Sequence, residues 1–389
     1  MTFGLLLLTA TCLAQSQEQD NSMLKVGPLS FQPSLVISNI GRDPNVFNSA
    51  TNPQSDFTAT FSPKISVVFK VRRLKTTFTQ VTDFVYFKEF SSERAVNPSY
   101  AVRADYDLGI LSPFGSATIA NAKSRINNEI DQRAQHDSTD YAVGTGLKLF
   151  TRTHVTFTAR QNTLSFADDE TFRGESLADA LNSTTRGLDG AIGVDLTSLT
   201  SFSVVFTREQ QRFDQAPDRN SDTFRVMPTF TFSPLGLLNG TAAFGYRKFT
   251  PKDPAVPSFS GFVVQIGAGI TVYEKHRLTT TIIRDLTYSY DATAVYYIQN
   301  SINGTWAYSI GRGFDVQLGA TRNLMHYHET ATTGPADDIY TNYNAAFGYR
   351  ITPRLHVSVN GTFTRRTSQI SPDRAYDSNR VYGTVNWGG

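Results

Sequence analysis

The stretch from Thr223 to Phe249, TFRVMPTFTFSPLGLLNGTAAFGYRKF, decides the fold. Phe224, Val226, Pro228, Phe230 and Phe232 take every second position, and Thr223, Arg225, Met227, Thr229 and Thr231 lie between them. After a turn at Ser233 to Gly236, Ala242, Phe244 and Tyr246 alternate with Ala243, Gly245 and Arg247. Successive side chains of a strand point to opposite faces, so this is a hairpin with one aromatic face and one face of Thr, Gly and Arg. A soluble sheet buries its aromatics. A sheet in lipid turns them outward and must pair every backbone group, which requires a closed barrel. Pro228 has no N–H for the ladder, and a bulge is expected there.

The same period recurs along the chain, at Leu29 to Ile37, Phe57 to Val71, Tyr141 to Leu149, Phe262 to Val272 and Tyr343 to Ile351. It marks about eighteen strands, with sixteen as the alternative. They run to about 10 to 15 residues, against 5 to 6 in ordinary sheets. Tight turns are expected at Arg72–Arg73, Ser112–Phe114, Thr151–Thr153, Ser233–Gly236, Glu274–His276, Gly311–Gly313 and Thr352–Arg354. Longer polar stretches alternate with them, save for one short connection near Asp291. This asymmetry predicts an all-β, transmembrane, antiparallel up-and-down β-barrel with short periplasmic turns and long extracellular loops. Tyr86, Phe90, Tyr246, Tyr288, Tyr290 and Tyr296 would form the loop-end aromatic girdle. Tyr106, Phe232, Tyr308, Phe314 and Tyr349 would form the turn-end girdle. GESLADALNS, Gly174 to Ser183, carries one or two helical turns inside a loop. The loop from Ser165 to Thr185 is long enough to fold inward as a plug.

Alternation alone would also suit a soluble propeller or sandwich. Strand length, loop asymmetry and an apolar leader argue for the membrane barrel. Residues 1–14 read as a signal peptide, 15–28 as a short periplasmic segment and 29–389 as the barrel. Cys12 is the only cysteine, so the mature chain has no thiol chemistry. With 36 basic and 34 acidic residues among 389, the charge balance gives no footprint for nucleic acid. No window approaches the roughly 18 apolar residues that a membrane helix needs, and a mean hydropathy of −0.27 is compatible with strands that alternate.

NIGRDPNVF (Asn39 to Phe47), FSPLGLLNGTAAFGYRKFTPKDP (Phe232 to Pro254), RFD (Arg212 to Asp214) and RDLTYSY (Arg284 to Tyr290) carry a resemblance. The chain resembles the β-barrel porin type 2 family over essentially its whole mature length. That resemblance implies an outer-membrane barrel of a Gram-negative bacterium, in a family some of whose members accompany exopolysaccharide synthesis. It implies no catalytic residues. The ending VNWGG departs from the common barrel ending, in which an aromatic is the last residue, because two glycines follow Trp387.

Strand parity turns Lys64, Lys70, Arg103, Asp105, Asp107, Arg160, Asp189 and Asp195 into the lumen, with Glu209, Arg225, Arg247, Asp315, Arg350 and Arg366. They either brace the barrel or ring a constriction that sets selectivity. Gly144, Gly146, Gly267, Gly269 and Gly348 share that face and would leave it open. His326 and His328 lack a third metal ligand nearby. Asp168 to Glu170 and Asp337–Asp338 read as solvated loop charges. No catalytic set, cofactor or metal is expected. The expected partners are the lipid bilayer, lipopolysaccharide, the outer-membrane assembly machinery, and polysaccharide or export-complex proteins. The expected role is a porin or export channel for small polar solutes or saccharide. The alternative is a plugged structural or surface-interaction barrel.

Overall fold

The structure is a computed structural model in which residues 24–233, 236–291, 294–327 and 336–388 are described. The leader, His328, the Pro234–Leu235 part of one turn, and the loop 328–335 lie outside the described residues.

The first barrel strands are β1 (Leu29–Asp43), β2 (Asp56–Val71), β3 (Leu74–Phe87), β4 (Ala95–Tyr106), β5 (Leu111–Ser124) and β6 (Ala134–Lys148). Next come β7 (Thr153–Phe166), β8 (Ser183–Asp195), β9 (Thr200–Phe213), β10 (Ser221–Phe232), β11 (Leu238–Pro251) and β12 (Phe259–Val272). The last are β13 (His276–Tyr288), β14 (Tyr296–Gly311), β15 (Phe314–Tyr327), β16 (Ala336–Thr352), β17 (Leu355–Ser368) and β18 (Tyr376–Trp387). Each pairs antiparallel with the next, and β18 pairs with β1 through Leu35↔Trp387 and Ile37↔Val385, closing an 18-strand ring. A short strand, Leu24–Val26, folds back on the start of β1.

Counted between strand bounds, connections at one end hold 2 to 5 residues and those at the other hold 7 to 16. The alternation has no exception: the connection near Asp291 spans residues 289–295 and belongs to the loop end. The turn expected at Ser112–Phe114 lies instead at residues 107–110. There Asp107 accepts the Gly109 amide at 2.7 Å, and Gly109 takes a positive φ of 86° that favours glycine.

The faces follow parity. Leu188, Ile192, Phe262, Phe347, Val359 and Val381 are each more than half exposed on the outer wall, while Ser203, Thr207, Thr223 and Thr229 are buried inside. An outward apolar wall of this extent suits lipid rather than water. Pro228 makes no bulge. The β10–β11 pairing passes from Val226↔Tyr246 to Thr229↔Ala243 in unchanged register, so the ladder parts locally and resumes. The register slips instead in β1, between Ser38 and Gly41, where Asn39 adopts φ 59°. A Cβ at Gly41 would fall 2.4 Å from the Val381 carbonyl, so the seam between first and last strands needs glycine there.

Candidate functional site: the charged lumen and its closed mouth

Six inward side chains form a continuous belt across β7 to β13. Arg160 donates to Asp189 at 3.0 Å and also to Glu209. Glu209 meets Arg225 at 3.5 Å, Arg225 meets Asp285 at 3.4 Å, and Arg247 donates to Asp285 at 2.6 Å. The order has a physical cause. Arg225 and Arg247 are direct cross-strand partners, a repulsive placement for like charges. Glu209 and Asp285 flank them and neutralise the pair. Asp285 was not among the residues expected from the sequence, although it shares the strand face of Thr279 and Thr281.

Elsewhere on the lumen face, Arg103 pairs with Asp105 at 2.7 Å and lies 4.4 Å above the Phe114 ring. Asp315 pairs with His356 at 2.7 Å. Lys64, Lys70 and Arg350 are exposed, and Asp195 ends β8 at the turn end. Two of the expected lumen residues are placed differently. Asp107 sits in a turn beyond the strands. Arg366 faces inward but is completely enclosed at the loop end.

The inward glycines do not simply leave space. A Cβ at Gly144 would fall 2.7 Å from the Phe114 ring, one at Gly187 3.0 Å from the Arg160 guanidinium, and one at Gly348 2.6 Å from the Asp315 carboxylate. Each of these side chains occupies the space over a glycine of the neighbouring strand. Only Gly267 of the five expected openings has nothing within 4 Å; Gly146 meets Ser112 at 4.0 Å.

At the loop end the chain closes on itself. The loop 125–133 joins β5 to β6, yet its Glu129 accepts from Ser289 at 2.5 Å and from Tyr327, on β15, at 2.9 Å. β15 is nine positions from β6 in a ring of eighteen, the opposite wall. Arg366, on β17, donates to the Glu129 carbonyl at 3.1 Å, to Asp131 at 2.9 Å and to Asp338 at 2.6 Å. Arg374 reaches the same Asp338 at 3.1 Å and donates to Tyr290. The loop 167–182 folds in beside this cluster. Its helix Leu177–Leu181, capped by Ser176, buries Leu177, Ala178 and Leu181 with Phe172 against Ile130 and Tyr290. Asp337 and Asp338, expected in a loop, belong to β16.

The third element is the tip of the β13–β14 hairpin. β12 pairs with β13 only from Val264↔Arg284 toward the turn end, whereas β13 stays paired with β14 to Tyr288↔Tyr296. The sheet parts there and the tip turns inward. Tyr296, Tyr297 and Ile298 are buried in succession, which a strand with one face on lipid would not allow. Tyr288 packs on Phe213 and Phe249, so Tyr288, Tyr290 and Tyr296 are interior rather than girdle residues. Tyr86 and Tyr246 keep the outward girdle position, as do Tyr106, Phe314 and Tyr349 at the turn end.

Burial pushes the Glu129 carboxyl up to about 7, against the opposing pull of Ser289, Arg374, Tyr327 and Arg366. Both donors serve one carboxyl oxygen, and Oε2 has no partner among the described residues. Burial likewise raises Asp131, with Arg366 opposing it. Among the described residues no group of three or more potential ligands is placed to hold a metal ion.

An 18-strand antiparallel barrel with an apolar outer wall and a charged lumen defines the porin class of fold. The chain belongs to the family described as Putative beta-barrel porin 2, which it matches over residues 22–387. No curated protein matches it. Among solved structures it is similar to OccK2 (OpdF) of Pseudomonas aeruginosa, seen in complex with glucuronate, at 12% identity and TM-score 0.52, covering 92% of this chain and 98% of that one. It is also similar to the outer membrane protein OpdK of the same organism, at 10% identity and TM-score 0.50, with 92% and 98% covered. These likenesses show a porin-like barrel fold.

Proposed function

We propose that the chain is a diffusion channel in the outer membrane of a Gram-negative bacterium, passing small polar solutes of saccharide size. The belt from Arg160 to Asp285 carries this reading. Its side chains are paired with one another yet keep part of their surface open to the lumen, where a polar or ionic solute would meet them. OccK2 holds glucuronate in the same fold, which supports a sugar-sized polar solute as the class. The mouth favours a second reading, in which loop 125–133 plugs the lumen until it is moved and the barrel acts mainly in envelope or exopolysaccharide assembly.

Planar-bilayer conductance and swelling of sugar-loaded vesicles separate the two. The channel reading expects stepwise conductance from the refolded full chain, and a further rise when residues 126–132 are replaced by a short Gly-Ser linker. A silent parent with a conducting loop variant would select the plugged reading. Silence from both, with the barrel folded and inserted, would overturn the channel.

A further inference from the structure

The outer wall carries a recess of about 790 Å³ over β5 to β9. Most of its lining comes from outward side chains, so it opens away from the lumen. Its floor includes the small outward residues Gly115 and Ala159, and Tyr141, Val143 and Leu188 form its apolar flank. Arg186 and Arg208 stand at its rim. Tyr141, Gln161, Arg186 and Gln210 form one cross-strand row. The adjoining row toward the turn end runs Val143, Ala159, Leu188, Arg208, Phe224 and Lys248. The rows beyond are largely apolar, with Phe157, Phe206, Val226 and Tyr246 in the first.

The height of the cations is informative. Arg208 lies eight residues from Thr200 at the turn end of β9. That is about 27 Å along the strand, or about 20 Å along the axis at the usual tilt, close to the height of a barrel's apolar band. The guanidiniums therefore end the band on the loop side. Arg186 and Arg208 are diagonal neighbours, with Cβ atoms about 7 to 8 Å apart, near enough to share one phosphate. Lys248 lies two strands from Arg208, about 10 Å away. Among the described residues neither Arg208 nor Lys248 has an ionic partner. Arg186 commits one nitrogen to Gln161, at 3.1 Å.

We propose that this recess binds the lipid A portion of a lipopolysaccharide. Acyl chains lie in the small-residue groove, one phosphate sits between Arg186 and Arg208, and a second anionic group faces Lys248. The inference rests on the outer-membrane reading with the loops outward, because that orientation puts the cations in the lipopolysaccharide leaflet. Charge complementarity above an apolar groove distinguishes this occupant from a second copy of the chain, which would meet its own arginines.

The test is native mass spectrometry of the refolded full chain in detergent, titrated with diphosphoryl lipid A, monophosphoryl lipid A or phosphatidylglycerol. Diphosphoryl lipid A is expected to bind most tightly, and Arg186→Ala with Arg208→Ala to weaken it about tenfold or more through lost charge-assisted bonds. Arg284→Ala with Arg322→Ala, on another part of the outer wall, should leave binding unchanged. If the first pair fails to fold, as judged by heat-modifiable gel mobility, Val143→Trp fills the groove without altering charge and should weaken binding instead. Equal binding of phosphatidylglycerol, equal loss in the control pair, displacement by millimolar inorganic phosphate, or a dimer that occludes the recess would each overturn the proposal. Conductance does not enter the readout, so a conducting barrel that ignores lipid A would remove this inference and leave the channel reading standing.

Discussion

On the barrel wall, the side chains of Arg160, Arg225 and Arg247 keep 17, 18 and 8% exposure, and Glu209 and Asp285 are each shared between two of them. At the mouth, the side chains of Arg366 and Asp338 are at 0%, held between a loop from one side and strands from the other. Both clusters consist of arginine and carboxylate, but their surroundings differ. The belt touches lumen water and its members back one another up. The mouth cluster is sealed, so each member depends on the others being present. The belt therefore suits contact with a solute, and the mouth cluster suits holding loops in one place.

The largest effect should come from removing the arginine at the centre of the sealed cluster. Arg366→Met strands Asp131, Asp338 and the Glu129 carbonyl, and breaking a buried pair this way costs about 3–5 kcal/mol. Arg225→Met in the belt should cost less, because Glu209 keeps Arg160 and Asp285 keeps Arg247. Limited trypsinolysis of the folded barrel reads the difference directly. The Arg366 variant should be cut at Arg125 or Arg133 and the Arg225 variant should resist. Equal resistance would erase the distinction between the two clusters.

A smaller effect should follow from pH, confined to the mouth. The Glu129 carboxyl is lifted from its ordinary 4.5 to about 7. Its folded value exceeds its unfolded one, so its contribution to closure is complete below about 4.5 and is lost as pH rises through about 7. For a shift of this size the whole effect is on the order of 3 kcal/mol. Around the carboxyl stand Arg366, Arg374 and Arg219, with Asp131, Asp338, Tyr290, Tyr297 and Tyr327. Arg366 and Arg374 are matched by Asp131 and Asp338, and Arg219 also faces Asp218 and Asp291, leaving Glu129 as the carboxyl best kept neutral. Conductance or trypsin sensitivity should increase from pH 6 to 8.5, about two units astride that value. Glu129→Gln should flatten the profile at its low-pH level. A profile unchanged by Glu129→Gln would assign the pH response elsewhere.

The wall was legible in the sequence, and of the mouth only the helical turns within Gly174 to Ser183 and the inward course of that loop were, for a physical reason. A strand against lipid has one allowed face, so parity alone placed Arg160, Asp189, Glu209, Arg225 and Arg247 on the lumen side. Parity fails where both faces are covered, as at Tyr296 to Ile298, and where a residue passes the end of its strand, as at Asp107. Loop 125–133 offered a fainter signal: Ile126 and Ile130 are apolar residues in a polar connection, which marks a loop with something to bury against. Of the stretches that carried the family resemblance, Phe232 to Pro254 is a turn and wall strand, and the other three reach into the mouth. Val46 of DPNVF accepts from Arg125 at 2.7 Å, Phe213 of RFD packs on Tyr288, and RDLTYSY supplies Asp285, Tyr288, Ser289 and Tyr290. The resemblance therefore touched both the wall and the closure, while periodicity pointed to the wall alone.

The smallest effect concerns the belt alone and sets its role against mere bracing. Three guanidiniums face three carboxylates, a net of zero, so an open pore should discriminate weakly between cations and anions. Arg225→Gln leaves one carboxylate in excess and Glu209→Gln leaves one guanidinium. If permeating ions pass within a Debye length of the belt, about 10 Å at 0.1 M salt, the two variants should shift the reversal potential in opposite directions. Both shifts should shrink at about 1 M salt, where the screening length falls to about 3 Å. Neither variant disturbs Arg366, so trypsin resistance at the mouth should match the parent and show that the closure is intact. Shifts of the same sign, or none at low salt, would mean that ions cross the barrel away from the belt. The belt would then be a brace on the wall, and the selective passage would have to lie along the residues of the mouth.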